Sequence, residues 1–113
     1  MLTLNDPISF IATRDPVASR AFYEGKLGLR LVSDEHFALV FDLNGHMLRL
    51  AKVTELTPAK HTVLGWHVSD ISELVGTLSS RGVLFERFEG MNQDELGANG
   101  ALVHTYTYAE AAV

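Results

Sequence analysis

The sequence predicts an α+β domain over residues 1–113, built from two like βαβββ modules at about 7–53 and 61–108, and three observations predict it. A strand-then-helix pattern near the start begins again after the midpoint. Asp15 and Asp70, which open the two helices, lie 55 positions apart, and Gly28 and Gly82, which close them, lie 54 apart. Asn44-Gly45 separates two apolar runs, the strongest short hairpin signal, because both central residues of a type I′ turn take positive φ. Finally, 113 residues with 47% hydrophobic and 20% charged content form about one domain with a core to bury. By bare pattern a ferredoxin-like βαββαβ unit is the alternative. The extra strand of the Asn44-Gly45 hairpin favours βαβββ.

Each element has its own local reason. ISFIAT, Ile8 to Thr13, is a short apolar strand ending before Asp15-Pro16, where Asp15 can cap free N–H groups and Pro16 suits the first helical position. A helix follows to about Lys26, with Ala18, Ala21 and Phe22 on one stripe, and Gly28 stops it. Strands are predicted at Leu29 to Ser33, Phe37 to Leu43 and His46 to Val53. Thr54 to Lys60, with Pro58, reads as a linker. The second module starts with HTVLGWHV, continues with a helix from about Ile71 to Ser80 carrying Leu74 and Leu78 on one face, and then a strand from Val83 to Phe88. Gly90 to Gly100 reads as a loop, and Ala101 to Tyr108 as a strand.

Composition removes several classes of function. With no cysteine there is no disulfide framework, thiolate zinc site or cysteine nucleophile, so a metal would have to use His, Asp or Glu. Nine basic against 14 acidic residues give a net charge of −5, which disfavours nucleic acid and anionic membranes as partners. No apolar run approaches the roughly 20 residues that span a bilayer. The N-terminus lacks the basic start and apolar stretch of a signal peptide, so the cytoplasm is the expected compartment. There is no phosphate-cradling glycine loop, nucleophile elbow or HExxH pair.

The stretch AFYEGKLGLRL, Ala21 to Leu31, resembles the helix-to-strand signature of the vicinal-oxygen-chelate superfamily, the glyoxalase, bleomycin-resistance and extradiol dioxygenase proteins. Ile8 to Asp15, then Trp66, Val68, Asp70, Leu78 and Arg81-Gly82-Val83, and the following FERFEG and QDELG resemble the same family. The resemblance implies that the sheets curl into a cup and that two copies form a homodimer. In metal-using members it implies a divalent ion held by His and Glu, the first ligand standing seven residues before the helix-opening Asp. Here those positions are Ile8 and Val63, and neither carries a donor atom. The resemblance also implies a Glu on the closing strand after an Asp-Pro-Asp-Gly-type turn, which this sequence lacks; Glu110 is the one carboxylate in its Ala-rich end.

Alternation points Ile8 and Phe10 into the cup, and His67 to the same face as Val63 and Gly65, with Trp66 opposite. The expected ligand pocket is therefore Ile8, Phe10, Val63, Gly65, His67, His104 and Tyr106, an apolar lining with few directional groups and no expected cofactor. The leading functional expectation is a metal-independent protein binding a small drug-like or aromatic molecule, similar in architecture to the bleomycin-resistance proteins. One alternative is a glyoxalase-type lyase, isomerase or dioxygenase holding a divalent metal through His67, His104 or another set. The other is a structural or dimerisation module.

Overall fold

In the computed structural model, residues 1–61, 63–85 and 102–104 are described, and the chain divides into two compact units at Pro58/Ala59. The first unit carries β1 (Ile8–Thr13), α1 (Pro16–Arg20) with a π-helical continuation (Ala21–Lys26), β2 (Arg30–Asp34), β3 (Ala38–Leu43) and β4 (His46–Lys52). Its sheet is mixed and open, in the order β1-β4-β3-β2, with β1 parallel to β4 and the other pairs antiparallel. This is one complete βαβββ module.

The helix begins as its sequence dictates, with the Asp15 carboxylate accepting from the Ala18 N–H at 3.0 Å and Pro16 in the first turn. Behind the cap, the buried hydroxyls of Thr13 and Ser19 meet at 2.6 Å, and the Asp15 N–H donates to Thr13 Oγ1 at 3.0 Å, tying the end of β1 to the helix. The second half widens to a π-helix, with the Leu27 N–H donating to the Phe22 carbonyl. Gly28, at φ 73, then lets the Leu29 N–H close onto the Tyr23 carbonyl, so β2 starts at Arg30 and not at Leu29. A bulge at Val32 shifts the β2–β3 register. The β3–β4 turn has Asn44 at φ 52 and Gly45 at φ 90, the type I′ geometry that the dipeptide predicts, and Asp42 Oδ1 accepts from the Gly45 N–H.

The core of this unit lies between the helix and one face of the sheet. Register places Leu39 opposite Leu50 and Phe41 opposite Leu48, and all four are completely buried. Tyr23 is buried with them, its ring 5.8 Å from that of Phe41 and 5.1 Å, edge to face, from Phe22. Burial of these side chains, at about 1.5–3 kcal/mol each, is the main force holding the helix on the sheet.

The second unit carries β5 (Gly65–His67), α2 (Ile71–Ser80) and β6 (Leu102–His104), with β5 and β6 antiparallel. Asp70 caps α2 by accepting from the Glu73 N–H at 3.0 Å, and Val75 and Leu78 form its buried side. The helix ends with Gly82 at φ 86, the Val83 N–H donating to the Leu78 carbonyl and the Gly82 N–H to the Ser79 carbonyl. Val83 is buried as the apolar partner of this closure. The expected strand beginning at Val83 is therefore not seen: residues 83–85 are irregular, and 86–88 lie outside the described residues. Among the described residues, HTVLGWHV contributes the strand Gly65–His67 and the segment from Ala101 the strand Leu102–His104; residues 62, 101 and 105–108 lie outside the described residues. The loop expected at Gly90 to Gly100 falls outside the described residues. Among the described residues no helix is long and apolar enough to cross a membrane.

Candidate functional site

The face of the first sheet turned away from the helix carries the residues with chemistry to offer. The register sets three rows across the strands: Ile8, Met47 and Asp42; Phe10, Arg49 and Val40; Ala12, Ala51 and Ala38. Strand alternation alone puts these on one face and Leu39, Phe41, Leu48 and Leu50 on the other. Ile8 is 47% exposed, Phe10 65% and Met47 39%. Apolar groups on adjacent strands β1 and β4 are thus left to solvent on the face expected to receive a ligand.

One cation stands within this apolar surface. Arg49 lies opposite Phe10 in register, and its Nη2 donates to Glu35 Oε1 at 3.0 Å. Glu35 follows β2, and β3 lies between β2 and β4, so the Arg49 side chain has to cross β3 to reach it. Val40 and Ala38, beneath that path, are almost completely buried. Glu35 is held on its other oxygen by the Ser33 hydroxyl at 2.9 Å; this bond first, and then Arg49, keep its carboxyl below the usual range. At the same bend Lys52 Nζ donates to Asp34 Oδ1 at 2.6 Å and to the Glu35 carbonyl at 2.7 Å, and Arg20 stands 3.7 Å from Asp34. The Lys52 bond is the main cause of the lowered Asp34 carboxyl, helped by the charges of Lys52 and Arg20. At the far end Arg30 and Asp42 pair loosely at 3.6 Å.

Ile8 and Phe10, expected in the pocket, share this open face. Val63, Gly65 and His67 lie in the second unit and are exposed, with Trp66 half-buried between Gly65 and His67. Position 104 pairs with Gly65 across the β5–β6 ladder. Tyr106 and Glu110 lie outside the described residues. His67 borders an open depression of about 440 Å³ with Ser69 and Asp70, before α2, and Glu73 and Thr77 along it. His46 is turned to the helix side of its sheet, where Nε2 lies 2.8 Å from Ser9 Oγ and links β4 to β1. Arg49 is the residue the sequence reasoning missed. Its signal was present, as the one cation in the alternating run Met47-Leu48-Arg49-Leu50.

Two of the positions that the resemblance assigns to a divalent ion carry apolar side chains in this chain. Ile8 and Val63 have no donor atoms, and among the described residues no three His, Asp or Glu side chains gather as a set able to hold a metal ion.

A mixed open sheet with one helix-covered face in a complete βαβββ module, followed among the described residues by a strand, a capped helix and a strand, defines an α+β protein. The chain belongs to the Glyoxalase/Bleomycin resistance protein/Dioxygenase superfamily, whose family model matches residues 6–106. Among solved structures it is similar to an integron cassette protein from the mobile metagenome of V. cholerae, with 16% identity, coverage of 83% of this chain and 80% of that chain, and a TM-score of 0.52. It is also similar to a protein from the mobile metagenome of V. pseudocholerae, with 18% identity, coverage of 80% and 77%, and a TM-score of 0.50. At these identities the likeness is one of fold. No curated protein matches the sequence.

Proposed function

We propose that this protein is a metal-independent small-molecule-binding member of the superfamily, and that it takes a largely apolar, planar organic ligand against the open face of the first sheet. The observation that carries this reading is the alignment of Ile8, Phe10 and Met47, all substantially exposed, on neighbouring strands of that face. Apolar side chains at such positions are stabilised by a ligand that removes them from water, at roughly 25 cal/mol per Å² buried. A side chain without donor atoms at position 8 suits contact with an aromatic or aliphatic surface and not ligation of an ion. Among the described residues β1 pairs only with β4, leaving its outer edge open, and a homodimer formed through that edge is part of the same reading.

The test is a thermal-shift screen of chelator-treated protein against planar aromatic molecules and, separately, divalent metal ions, with elemental analysis of the untreated protein. Stabilisation by an organic ligand that Phe10→Ser abolishes is the expected result. Stoichiometric metal, with stabilisation and turnover that depend on it, would replace this reading with the metalloenzyme one.

A further inference from the structure

Apart from Ser33, the polar groups on the open face of the first sheet stand in ion pairs, and those pairs are unequal. Arg30 and Asp42 sit at the rim, 3.6 Å apart, with the Arg30 side chain 68% exposed. Arg49 is only 29% exposed, lies directly beside Phe10, and is laid over the β3 surface by Glu35. Its hold on Glu35 is through one nitrogen and one oxygen, and no other partner of Arg49 is found among the described residues. A guanidinium presents a planar fork of donors suited to two parallel bonds, so a single-bonded Arg retains most of its capacity for an anion. Glu35 is anchored independently by Ser33 and by the bend that Lys52 fastens, so it remains in place while Arg49 takes a second acceptor.

We propose that Arg49 determines specificity on this face, and that the ligands are planar aromatic organic anions, carboxylates or sulfonates, with the ring against Phe10 and Ile8 and the anionic group on the unused donors of Arg49. This rests on the binding reading above and narrows it to one charge class. A partly desolvated cation beside an apolar surface favours an amphipathic anion over a neutral molecule of the same shape, because the neutral ligand covers the guanidinium without replacing its lost water. It also disfavours an aromatic cation, which would meet Arg49 before it met Glu35 on the far side of β3.

The experiment is a fluorescence titration of the full chain with two probes sharing one ring system, anilinonaphthalene sulfonate and the uncharged phenylnaphthylamine. The wild type should bind the sulfonate about tenfold or more tightly than the neutral probe, the preference expected of one good charge-assisted contact. Arg49→Met should bring the two affinities together while leaving phenylnaphthylamine binding intact, and Arg49→Lys should keep part of the preference. Glu35→Gln should preserve or increase it, since it removes the competing carboxylate. Should Arg49→Met not fold, Arg49→Gln serves the same comparison. An unchanged sulfonate preference in the variant lacking the charge, or a wild type that favours the neutral probe, overturns the assignment of Arg49 while leaving the binding reading standing. Failure of both probes to bind any variant overturns the binding reading itself, and this assignment with it.

Discussion

The two faces of the first sheet are made by the same strands and share none of the same work. On the helix side Leu39, Phe41, Leu48, Leu50 and Tyr23 have no exposed surface at all. On the other side Ile8, Phe10 and Met47 stand in solvent around Arg49. Neighbours in sequence such as Leu48 and Arg49 therefore belong to different problems, one of folding and one, on the proposal above, of recognition. The contrast teaches that on β1 and β4 exposure alternates residue by residue with a period of two, whereas the inner strand β3 is buried on both faces at Ala38 to Phe41.

The largest expected effects test that separation. Phe41→Ala should cost about 3–5 kcal/mol, since it opens a cavity between Tyr23 and the sheet. Phe10→Ala, the same chemical change on the open face, should stay within about 0.5 kcal/mol, as for other surface positions. Chemical denaturation of both variants measures the difference. Comparable losses would mean that the open face is part of the core.

Smaller effects sharpen the account of the closed face. The Tyr23 hydroxyl is buried with no hydrogen-bond partner among the described residues, and burial pushes its pKa well up from the ordinary tyrosine value. Tyr23→Phe removes a desolvated polar group and keeps the ring, so denaturation should find it neutral or more stable by about 1 kcal/mol. A marked loss would reveal a bond to the hydroxyl. Gly25 lies on the exposed side of the π-helical segment at an ordinary negative φ, and a Cβ added there would meet no atom within 4 Å. Gly25→Ala should raise stability by about 0.5–1 kcal/mol, mainly by restricting the unfolded chain, read as a higher thermal midpoint.

The smallest effect is the pH dependence of the ion pairs at the β2–β3 bend, where Asp34 faces the helix and Glu35 reaches toward Arg49. Both carboxyls ionise more readily in the folded protein than their ordinary values of 3.8 and 4.5. Their contribution is thus fully present above those values and is lost as pH falls through the lowered folded ones. Both groups are exposed, so the contribution is modest and weakened by salt. Comparing Lys52→Met with the wild type, the gap in urea midpoint should be present at neutral pH and shrink below the ordinary carboxyl range. A gap that widened on acidification would reverse the sign argued for Asp34.

Much of this architecture was legible because its signals are local. Asp15-Pro16 and Asp70 each placed a helix start and Asn44-Gly45 placed the turn, while the alternation from His46 to Lys52, which carries the faces of β4, went unread. What the sequence did not disclose depends on tertiary context. The π-helical widening accompanies the seating of Phe22 and Tyr23, and the Val32 bulge appears only in the pairing of β2 with β3. Val83 was misread because an apolar residue after Gly82 serves a helix closure as well as it starts a strand. On the open face Ile8 and Phe10 were readable by period, and so was the position of Arg49. Its tie to Glu35 was not, since that contact joins residues 14 apart through the register of three strands.

The most direct test of the central claim is methyl NMR of chelator-treated protein titrated with anilinonaphthalene sulfonate. The account predicts saturable shifts of the Ile8 and Met47 methyl signals, with those of Leu48 and Leu50, on the same strands but the opposite face, nearly still. Shifts absent from Ile8 and Met47, or larger at Leu48 and Leu50, would contradict it.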